Sequence, residues 1–310
     1  MIEKYTPDQV AQMIISIDPT FHLPSDEQRP IISIHDNPLE PAVVIAGAGS
    51  GKTETMAARV VYLVANEIAR PDQILGLTFT RKAAGELNTR IRRRLRQFQQ
   101  AQDKQGIART FSSLDTAVTT YHSYAGRLLS EHAIRYGIDA DVQPLGEAAV
   151  WMLANKLVRE WDDGIFATSD AASTVVKDLL GITSMVLEHR VTVDQIRAAD
   201  EELLQQVIAM TGPTNDETRK VAKVLNQRIA MLPMMQAFLE SRRQSGELSF
   251  DDQISLAADI AVNFADVGVL ERAKYPIVLL DEYQDTSQSQ VRLLSALFGG
   301  GHPVTAVGDP

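Results

Sequence analysis

The chain has 310 residues, 45% of them hydrophobic and 23% charged, which predicts a folded protein of two domains or of one domain with a large insertion. It has no cysteine, which excludes disulfides and thiolate metal sites and favours a cytoplasmic location. No apolar run approaches the roughly 20 residues of a membrane span. The net charge of −10 excludes a uniformly basic surface, so nucleic-acid binding would need a local basic patch.

The first 30 residues predict two short helices. Thr6-Pro7-Asp8-Gln9 is typical of a helix start, and residues 24–28 precede a second one. Gln28 lies upstream of a glycine-rich stretch, and its side-chain amide has the donor and the acceptor that reading an adenine edge requires. A surface glutamine without a ligand is the alternative.

The glycine-rich stretch AGAGSGKT at residues 46–53 follows an apolar run at 42–45, which predicts a buried strand. The residues after it are apolar every fourth position, as on one face of a helix. Strand, glycine-rich turn and helix are the context of a phosphate-binding loop, in which curled backbone N–H groups and the helix dipole attract an anion. A plain turn with a solvent-exposed lysine is the alternative, and Ala46 stands where the motif has glycine.

This stretch predicts a nucleotide site. Lys52 would reach the β- and γ-phosphates, and the Thr53 hydroxyl would ligate Mg²⁺. The predicted nucleotide-binding residues are Gln28, Ala48, Gly49, Ser50, Gly51, Lys52 and Thr53.

A second predicted strand, residues 74–80, leads into a strongly basic helix. Its seven cations face a single anion, Glu86. The cations are Arg81, Lys82, Arg90, Arg92, Arg93, Arg94 and Arg96. They could follow the phosphates of single-stranded nucleic acid while Phe79 stacks on bases, so that alanine at Arg92, Arg93 and Arg94 would weaken binding. The alternative is a solvated basic face with Phe79 in the core. Residues 97–110 are polar and predict a loop.

A third predicted strand, residues 115–120, runs into Tyr121 and His122, and His122 either contacts a phosphate or lies satisfied in the core. From residue 136 to 246 helical periodicity replaces strand alternation, which predicts an inserted all-helical domain. Pro233 is expected to kink or end the last helix of that region. The predicted domains are therefore the first part of an α/β core (1–135), the helical insertion (136–246) and the second part of the core (247–310).

Four consecutive apolar residues, 277–280, precede Asp281-Glu282, which predicts a buried parallel strand with carboxylates at its carboxyl end. In a nucleotide site, Asp281 would hold Mg²⁺ through water or Thr53, and Glu282 would activate the water that attacks the γ-phosphate. Acidic residues that merely start a helix are the alternative. A last strand is predicted at 304–307.

Six motifs, in this order, resemble those of UvrD/Rep-like superfamily 1 DNA helicases. They are AGAGSGKT at 46–53, LTFTRKAAGEL at 77–87, TTYHSYA at 119–125, FDDQI at 250–254, LLDEYQDTSQSQ at 279–290 and AVGDP at 306–310. The resemblance implies an α/β fold, a RecA-like P-loop NTPase domain with a parallel sheet that carries an inserted all-helical domain. It also implies an ATP-dependent DNA helicase, a repair-type enzyme that uses ATP and Mg²⁺ to move along single-stranded DNA to a duplex junction, typically 3′→5′.

By position in the motifs, the resemblance implies a role for each site residue. Gln28 would recognise adenine, and Thr53 with Asp281 would hold the metal. Gln284 would sense the γ-phosphate or couple hydrolysis to DNA. The implied catalytic residues are Lys52, Asp281, Glu282 and Gln284. The implied DNA-binding residues are Phe79, Thr80, Arg81, Thr120, Tyr121 and His122.

Two departures from the family pattern qualify the resemblance. Many relatives have arginine directly after the P-loop threonine, where this chain has Glu54. The chain also stops inside the AVGDP motif, so we expect a C-terminal RecA-like domain with arginine fingers outside these 310 residues. We interpret the chain as an N-terminal half-motor. On its own it is expected to bind Mg–ATP weakly and to hydrolyse it very slowly. The stretches at 52–66 and 77–87 most resemble actinobacterial helicase–nuclease subunits, and this resemblance implies a partner subunit.

Two other classes of function stay open. One is another P-loop NTPase, a GTPase or a kinase, although the nearest stretch to the guanine-reading Asn-Lys-x-Asp ends in valine, at 155–158. The other is a nucleotide-binding DNA scaffold without turnover, against which the intact Lys52, Thr53, Asp281 and Glu282 argue.

Overall fold

The computed structural model describes residues 4–33, 39–47, 49–137, 145–161, 172–210, 216–245 and 250–310. The chain forms two compact units. Unit 1 comprises Met1–Leu128 and Ala257–Pro310, and unit 2 comprises Leu129–Leu256. The predicted domain boundary at residue 246 lies outside the described residues.

Unit 1 contains a five-stranded sheet in which every pair of neighbours is parallel. The strands are β1 (Ala42–Ile45), β2 (Ile74–Thr78), β3 (Ala117–Thr120), β4 (Ile277–Leu280) and β5 (Val304–Gly308). Their order is β1-β5-β4-β2-β3. Because all strands run the same way, their carboxyl ends lie along one edge of the sheet, where ligands of open α/β sheets bind.

Twelve helices are described, and α6 to α9 lie wholly in unit 2. In chain order they are α1 (Pro7–Ile15), α2 (Gln28–Ser33), α3 (Lys52–Ala65), α4 (Arg81–Lys104), α5 (Tyr121–His132), α6 (Glu147–Glu160), α7 (Ala172–His189), α8 (Val193–Met210), α9 (Asp216–Ser245), α10 (Phe250–Asn263), α11 (Ala265–Lys274) and α12 (Gln288–Phe298). Short 3₁₀ turns occupy Pro71–Gln73, Ala133–Tyr136 and Tyr283–Asp285.

The two faces of the sheet in unit 1 pack against different helices. Ile277 and Leu279 of β4 join the core formed with α1, α3 and α4. The alternate residues of β4, Val278 and Leu280, border a groove against α12. This alternation follows from the two-residue period of a strand, and burial on both faces explains why β4 is apolar throughout.

The prediction that residues 42–45 form a fully buried strand is wrong in its burial. Val44 packs against the core of unit 1, but Val43 and Ile45 are 70% and 69% exposed. The reason is that β1 is an edge strand, and Val43 borders the open groove beside α12 instead of being covered by that helix. An apolar run alone cannot distinguish an edge strand from a central one.

The predicted end of the basic helix is wrong, and so is one of the two alternatives predicted for Pro233, that it ends its helix. Residues 97–104 continue α4 instead of forming a loop, because Phe98 and Ala101 are buried in the core among polar neighbours. Pro233 does not end α9, which continues to Ser245. Met234 and Met235 beside it are fully buried, so tertiary packing outweighs the local helix-breaking effect of proline.

Unit 2 has its own apolar core. Residues of α6, α7 and α9 form it, with Val176, Leu179 and Leu232 completely buried. Helix α8 is tied to α9 by Arg228, whose Nε donates to Asp200 Oδ2 at 2.6 Å. Among the described residues no single helix is both long and apolar enough to cross a membrane, and only α10 and α11, separated by a sharp bend, meet that test jointly.

Candidate functional site

The residues predicted to bind a nucleotide come together at the carboxyl edge of the sheet. The glycine-rich stretch follows β1, Asp281 follows β4, and Asp309 follows β5. Strand order places β5 between β1 and β4. Lys52 pairs with Asp309, whose N–H group donates to Gln284 Oε1, three residues after Asp281. The structure therefore unites the two segments, although more than 220 residues separate them in sequence.

The glycine-rich stretch has the backbone that its composition predicts. Gly49 and Gly51 have φ of 79° and 86°, in the left-handed region that favours glycine. Gly51 is the N-cap of α3, so the exposed N–H groups of the first helical turn face the loop. Ser50 N donates to Gly47 O at 3.3 Å. Ala48 lies outside the described residues.

Lys52 is engaged rather than free in solvent. Its Nζ donates to Ala46 O at 3.0 Å and forms an ion pair with Asp309. The side chain is 11% exposed. A triphosphate at this loop must therefore compete with the Asp309 carboxylate for the lysine. Sequence reasoning missed Asp309, because its proximity to the loop depends on β5 pairing with β1.

Asp281 is a buried carboxylate with an unsatisfied oxygen. It is 5% exposed, and its Oδ1 has no hydrogen-bond partner among the described residues. Burial, followed by the Glu282 carboxylate, raises the pKa of Asp281, while a backbone hydrogen bond from Glu282 and the charge of Lys52 oppose that change. An unpaired buried carboxylate is unfavourable unless a cation or donor approaches it.

These properties fit a divalent cation. Thr53, in the first turn of α3, and Asp281 carry side-chain oxygens, the type of ligand that Mg²⁺ prefers. The described residues contain no cluster of three or more His, Asp or Glu side chains able to hold a metal. A cation here would consequently depend on phosphate and water oxygens for its remaining ligands.

Gln284 joins the acidic pair to the lysine. Its Nε2 donates to Glu282 Oε2 at 2.7 Å, and its Oε1 accepts from Asp309 N at 3.0 Å. Since Asp309 pairs with Lys52, side chains and backbone link Glu282 to the glycine-rich stretch. Glu282 itself has φ 54° and ψ 39°, a left-handed conformation that is strained for a non-glycine residue.

Gly308 is required by this arrangement. A Cβ at residue 308 would lie 2.7 Å from Gln284 Oε1 and 3.3 Å from Gln284 N. The first distance is shorter than any ordinary contact, so a side chain here would displace the amide. This explains why β5 ends in glycine next to the candidate site.

A cleft of about 320 Å³ adjoins Gly51 and is lined by residues of α1, α3 and the segment 20–28. Gln28 borders it, and its Oε1 accepts from Ser25 N at 3.0 Å. Its Nε2 reaches Ser50 O only at 3.5 Å. The Gln28 amide therefore keeps donor capacity beside the glycine-rich stretch.

Glu54, which departs from the family pattern, belongs to a charge network on the wall of this cleft. Its Oε1 accepts from Arg94 Nε at 2.7 Å. Arg94 also donates to Asp18 Oδ2 at 3.2 Å and lies 4.1 Å over the Phe21 ring. Hydrogen bonds from the Thr20 hydroxyl and the Gln97 amide, aided by Arg94, lower the pKa of Asp18 to about 2. The network joins residues too far apart for a sequence pattern to reveal.

The basic face of α4 is smaller than its composition suggests. Arg94 is 7% exposed, so its prediction as a nucleic-acid contact is wrong, because it neutralises Glu54 and Asp18. Arg92 pairs with Asp115 at 2.6 Å, and Arg90 lies 3.5 Å from Glu54. The exposed cations of α4 without an ion pair in the described part of the chain are Arg81, Arg93, Arg96 and Lys104, and Lys104 Nζ donates to Ser16 O at 3.2 Å.

The six residues predicted to line a DNA track cluster after β2 and β3 but differ in exposure. Arg81 and Thr80 are exposed, and Phe79 and His122 are half-buried. Thr80 caps α4 by accepting from Ala83 N. Thr120 and Tyr121 are buried at 6% and 3% exposure, so neither side chain is available for direct contact. The Tyr121 ring instead packs on Phe79, with centroids 5.1 Å apart.

Comparison with known proteins assigns this architecture to a family. The sequence profile of the UvrD/REP helicase N-terminal domain matches residues 25–310. The chain is 30% identical to the ATP-dependent DNA helicase UvrD2 of Mycobacterium tuberculosis over 96% of this chain and 38% of that protein.

Two further relatives give the same result. The chain is 27% identical to the ATP-dependent DNA helicase UvrD1 of Mycobacterium leprae over 89% of this chain and 30% of that protein. It is 27% identical to the ATP-dependent DNA helicase PcrA of Staphylococcus aureus over 91% of this chain and 32% of that protein. The chain thus spans about a third of the length of these relatives. The profile match covers nearly the whole chain, and the chain belongs to the UvrD/REP helicase N-terminal domain family.

Proposed function

We propose that the chain is the ATP-binding part of an ATP-dependent DNA helicase or translocase. Unit 1 would be its RecA-like P-loop core, and unit 2 its inserted helical domain. The observation that carries the proposal is the linked set Lys52, Asp309, Gln284 and Glu282 beside the unsatisfied Asp281. A structural role alone gives no reason to bury an unpaired carboxylate next to a P-loop.

The residues of this chain would divide the work as follows. Backbone N–H groups from Gly49 to Thr53 bind phosphate oxygens, and Lys52 leaves Asp309 to reach the β- and γ-phosphates. Bound Mg²⁺, held by Thr53 and Asp281, would neutralise charge that develops on the phosphates. Glu282 accepts the proton of the attacking water at a carboxylate oxygen, and Gln284 orients Glu282.

Lys52 has a second effect when it moves. When Lys52 leaves, the Asp309 carboxylate loses its ion pair, and the position of Asp309 changes. The N–H group of the same residue donates to Gln284 Oε1, so Gln284 would move with it. Phosphate binding would in this way reach Glu282 through Gln284. The proposed order is lysine exchange first and orientation of the base second.

Single-stranded DNA would bind at the ends of β2 and β3. Phe79 offers a half-buried ring for base stacking, and Arg81 offers an exposed cation for a phosphate. Gln28 and the cleft beside Gly51 would take the adenine base. A second RecA-like domain would supply arginine fingers, which raise turnover about 10³–10⁵-fold in related phosphoryl transfers. We also propose a partner subunit and a cytoplasmic location, which accord with the resemblance and with the lack of cysteine.

Guanine is not the base we propose. The stretch 155–158, nearest in sequence to a guanine-reading motif, lies inside helix α6 of unit 2. It therefore belongs to a regular helix, and no loop at the carboxyl edge of the sheet contains it. Competition by GTP provides the corresponding check.

The test is binding of a fluorescent ATP analogue to the 310-residue chain with Mg²⁺. We expect saturable binding that unlabelled ATP displaces better than GTP. Lys52→Ala should weaken it at least tenfold, because the triphosphate loses its cation. Lys104→Ala, at the far end of α4, is the control and should bind normally. Equal binding by the wild type and Lys52→Ala would contradict the proposal.

A further inference from the structure

Three buried polar atoms near the acidic pair have no hydrogen-bond partner among the described residues. They are Tyr121 Oη, Thr286 Oγ1 and Asp281 Oδ1. Such atoms are rare in native proteins, because each loses its water without gaining a partner. Here they belong to three elements that meet, namely the start of α5, the end of β4 and the turn after it.

The parallel register of the sheet brings Tyr121 and Asp281 to the same edge. Thr120 pairs with Thr78 and Leu280 pairs with Leu77, and Tyr121 and Asp281 directly follow these two partners of β2. The Thr286 hydroxyl lies near enough to the Tyr121 hydroxyl to lower the pKa of that tyrosine, although the two do not form a hydrogen bond of normal geometry. Burial dominates and raises the pKa of Tyr121, and the charge of Asp281 raises it further. The tyrosine therefore stays a neutral donor beside a carboxylate.

The opposite side of Tyr121 meets the nucleic-acid face. Its ring packs on Phe79 at 5.1 Å, with the planes tilted by 57°. At 3% exposure Tyr121 cannot itself contact a strand. One side chain thus contacts the proposed stacking residue through its ring and approaches the proposed metal carboxylate through its hydroxyl.

We propose that Tyr121 is a positioning residue that couples the DNA face to the metal site. Its hydroxyl donates a hydrogen bond to Asp281 Oδ1, or to water held there with Thr286, when the nucleotide site is occupied. Its ring transmits displacement of Phe79 by a bound base. This inference rests on the proposed function and adds to it a route from single-stranded DNA to the nucleotide.

Two variants separate the two contacts. Tyr121→Phe keeps the ring and removes only the hydroxyl, whereas Phe79→Leu removes the aromatic contact and leaves the hydroxyl. Tyr124→Phe is the matched control. Tyr124 is equally buried and lies three residues further along α5, but its hydroxyl donates to Glu271 Oε2 at 2.6 Å and has no part in the nucleotide site.

The measurement is the affinity of the 310-residue chain for a fluorescent ATP analogue, with Mg²⁺ and with EDTA, and with and without oligo-dT. In the wild type we expect Mg²⁺ to strengthen binding and oligo-dT to change it, since linkage between two ligands is reciprocal. Tyr121→Phe should reduce the Mg²⁺-dependent gain about tenfold and leave affinity in EDTA unchanged.

Phe79→Leu should keep the Mg²⁺ gain and lose the response to oligo-dT. Tyr124→Phe should retain both. A merely structural role of the Tyr121 hydroxyl would change affinity equally with Mg²⁺ and EDTA, or not at all, and either result overturns the inference. Failure of the wild type to bind the analogue would overturn the proposed function and the inference with it.

Discussion

Gln284 contacts both halves of the candidate nucleotide site, and Gly308 leaves room for it. By resemblance, the motif DEYQD implies only that Gln284 senses the γ-phosphate or couples hydrolysis to DNA. It does not predict that the amide bonds to Asp309 N, since that contact requires β5 beside β4. Individual site residues can be found from sequence, whereas the contacts between distant ones need the strand order.

We expect Gly308→Ala to lower the free energy of unfolding by about 1–2 kcal/mol, because the new methyl group overlaps Gln284 Oε1. Urea denaturation measures this change. The Gln284→Ala background should reduce the effect by at least about 0.5 kcal/mol, as a double-mutant cycle would reveal. Gly85→Ala is the control. Gly85 lies at an exposed position of α4 with open space around it. Alanine there should therefore stabilise the chain by about 0.5–1 kcal/mol. Equal effects at both glycines would contradict the proposed overlap.

Asp281 should make stability depend on pH. Its pKa in the folded chain is raised by burial, so the ionised form destabilises the fold relative to the unfolded chain at pH values above the ordinary 3.8. We expect Asp281→Asn to stabilise the metal-free chain at pH 7, because the substitution removes the buried charge. The gain should shrink as pH falls through the raised pKa.

Urea denaturation in EDTA from pH 8 to pH 4.5 provides the measurement. Asp285→Asn, an exposed carboxylate four residues along the chain, should change stability by no more than about 0.5 kcal/mol at any of these pH values. A destabilising effect of Asp281→Asn at pH 7 would show that the carboxylate has a favourable partner after all.

At the scale of elements, the sequence predicts the basic composition of α4 but neither its length nor its ion pairs. Its basic composition and its start after residue 80 follow from the sequence, although Thr80 caps the helix and does not belong to the strand, which ends at Thr78. Its length is not, because the buried Phe98 and Ala101 stand among polar residues. Its pairing with Glu54 and Asp18 is also invisible, since these anions lie on other segments.

We expect the arginines of α4 to separate by function. Arg93→Ala and Arg96→Ala should each reduce the salt dependence of oligo-dT binding, by about 0.7 in the slope of log affinity against log salt, with stability unchanged. Arg94→Ala should instead destabilise the chain by about 1–3 kcal/mol, because Glu54 and Asp18 lose the charged hydrogen bonds of a buried arginine and keep only their weaker partners.

Fluorescence anisotropy at several salt concentrations and urea denaturation measure the two properties. Gln100→Ala, an exposed neutral residue of the same helix, is the control for both. A weakened salt dependence in Arg94→Ala with normal stability would restore that residue to the nucleic-acid face.

At the scale of the whole molecule, the alternation of strand and helix patterns predicts an α/β sheet interrupted by a helical region. The order β1-β5-β4-β2-β3 does not follow from that pattern, because apolar runs such as 42–45 and 277–280 look alike although one is an edge strand. The sequence therefore predicts which segments reach the carboxyl edge of the sheet. The strand order determines which of those segments are in contact.

Each unit has a separate apolar core, so we expect two unfolding transitions. Both tryptophans, Trp151 and Trp161, belong to unit 2, and their fluorescence reports that unit alone. Mg–ATP at about 100 times its Kd should stabilise unit 1 by about 2.7 kcal/mol. The shift should appear in far-UV circular dichroism and leave the tryptophan transition in place. Parallel shifts of both signals would indicate a single cooperative unit.

The left-handed backbone at Glu282 has a consequence for directed evolution of this protein. Glycine relaxes at such a torsion, whereas every branched residue is disfavoured there. Libraries selected only for thermal stability should therefore enrich glycine at residue 282, and glycine there has no carboxylate to act as the proposed base. Glutamate should be retained only when the selection also requires ATP turnover. Its retention under that selection would show that residue 282 exchanges stability for activity.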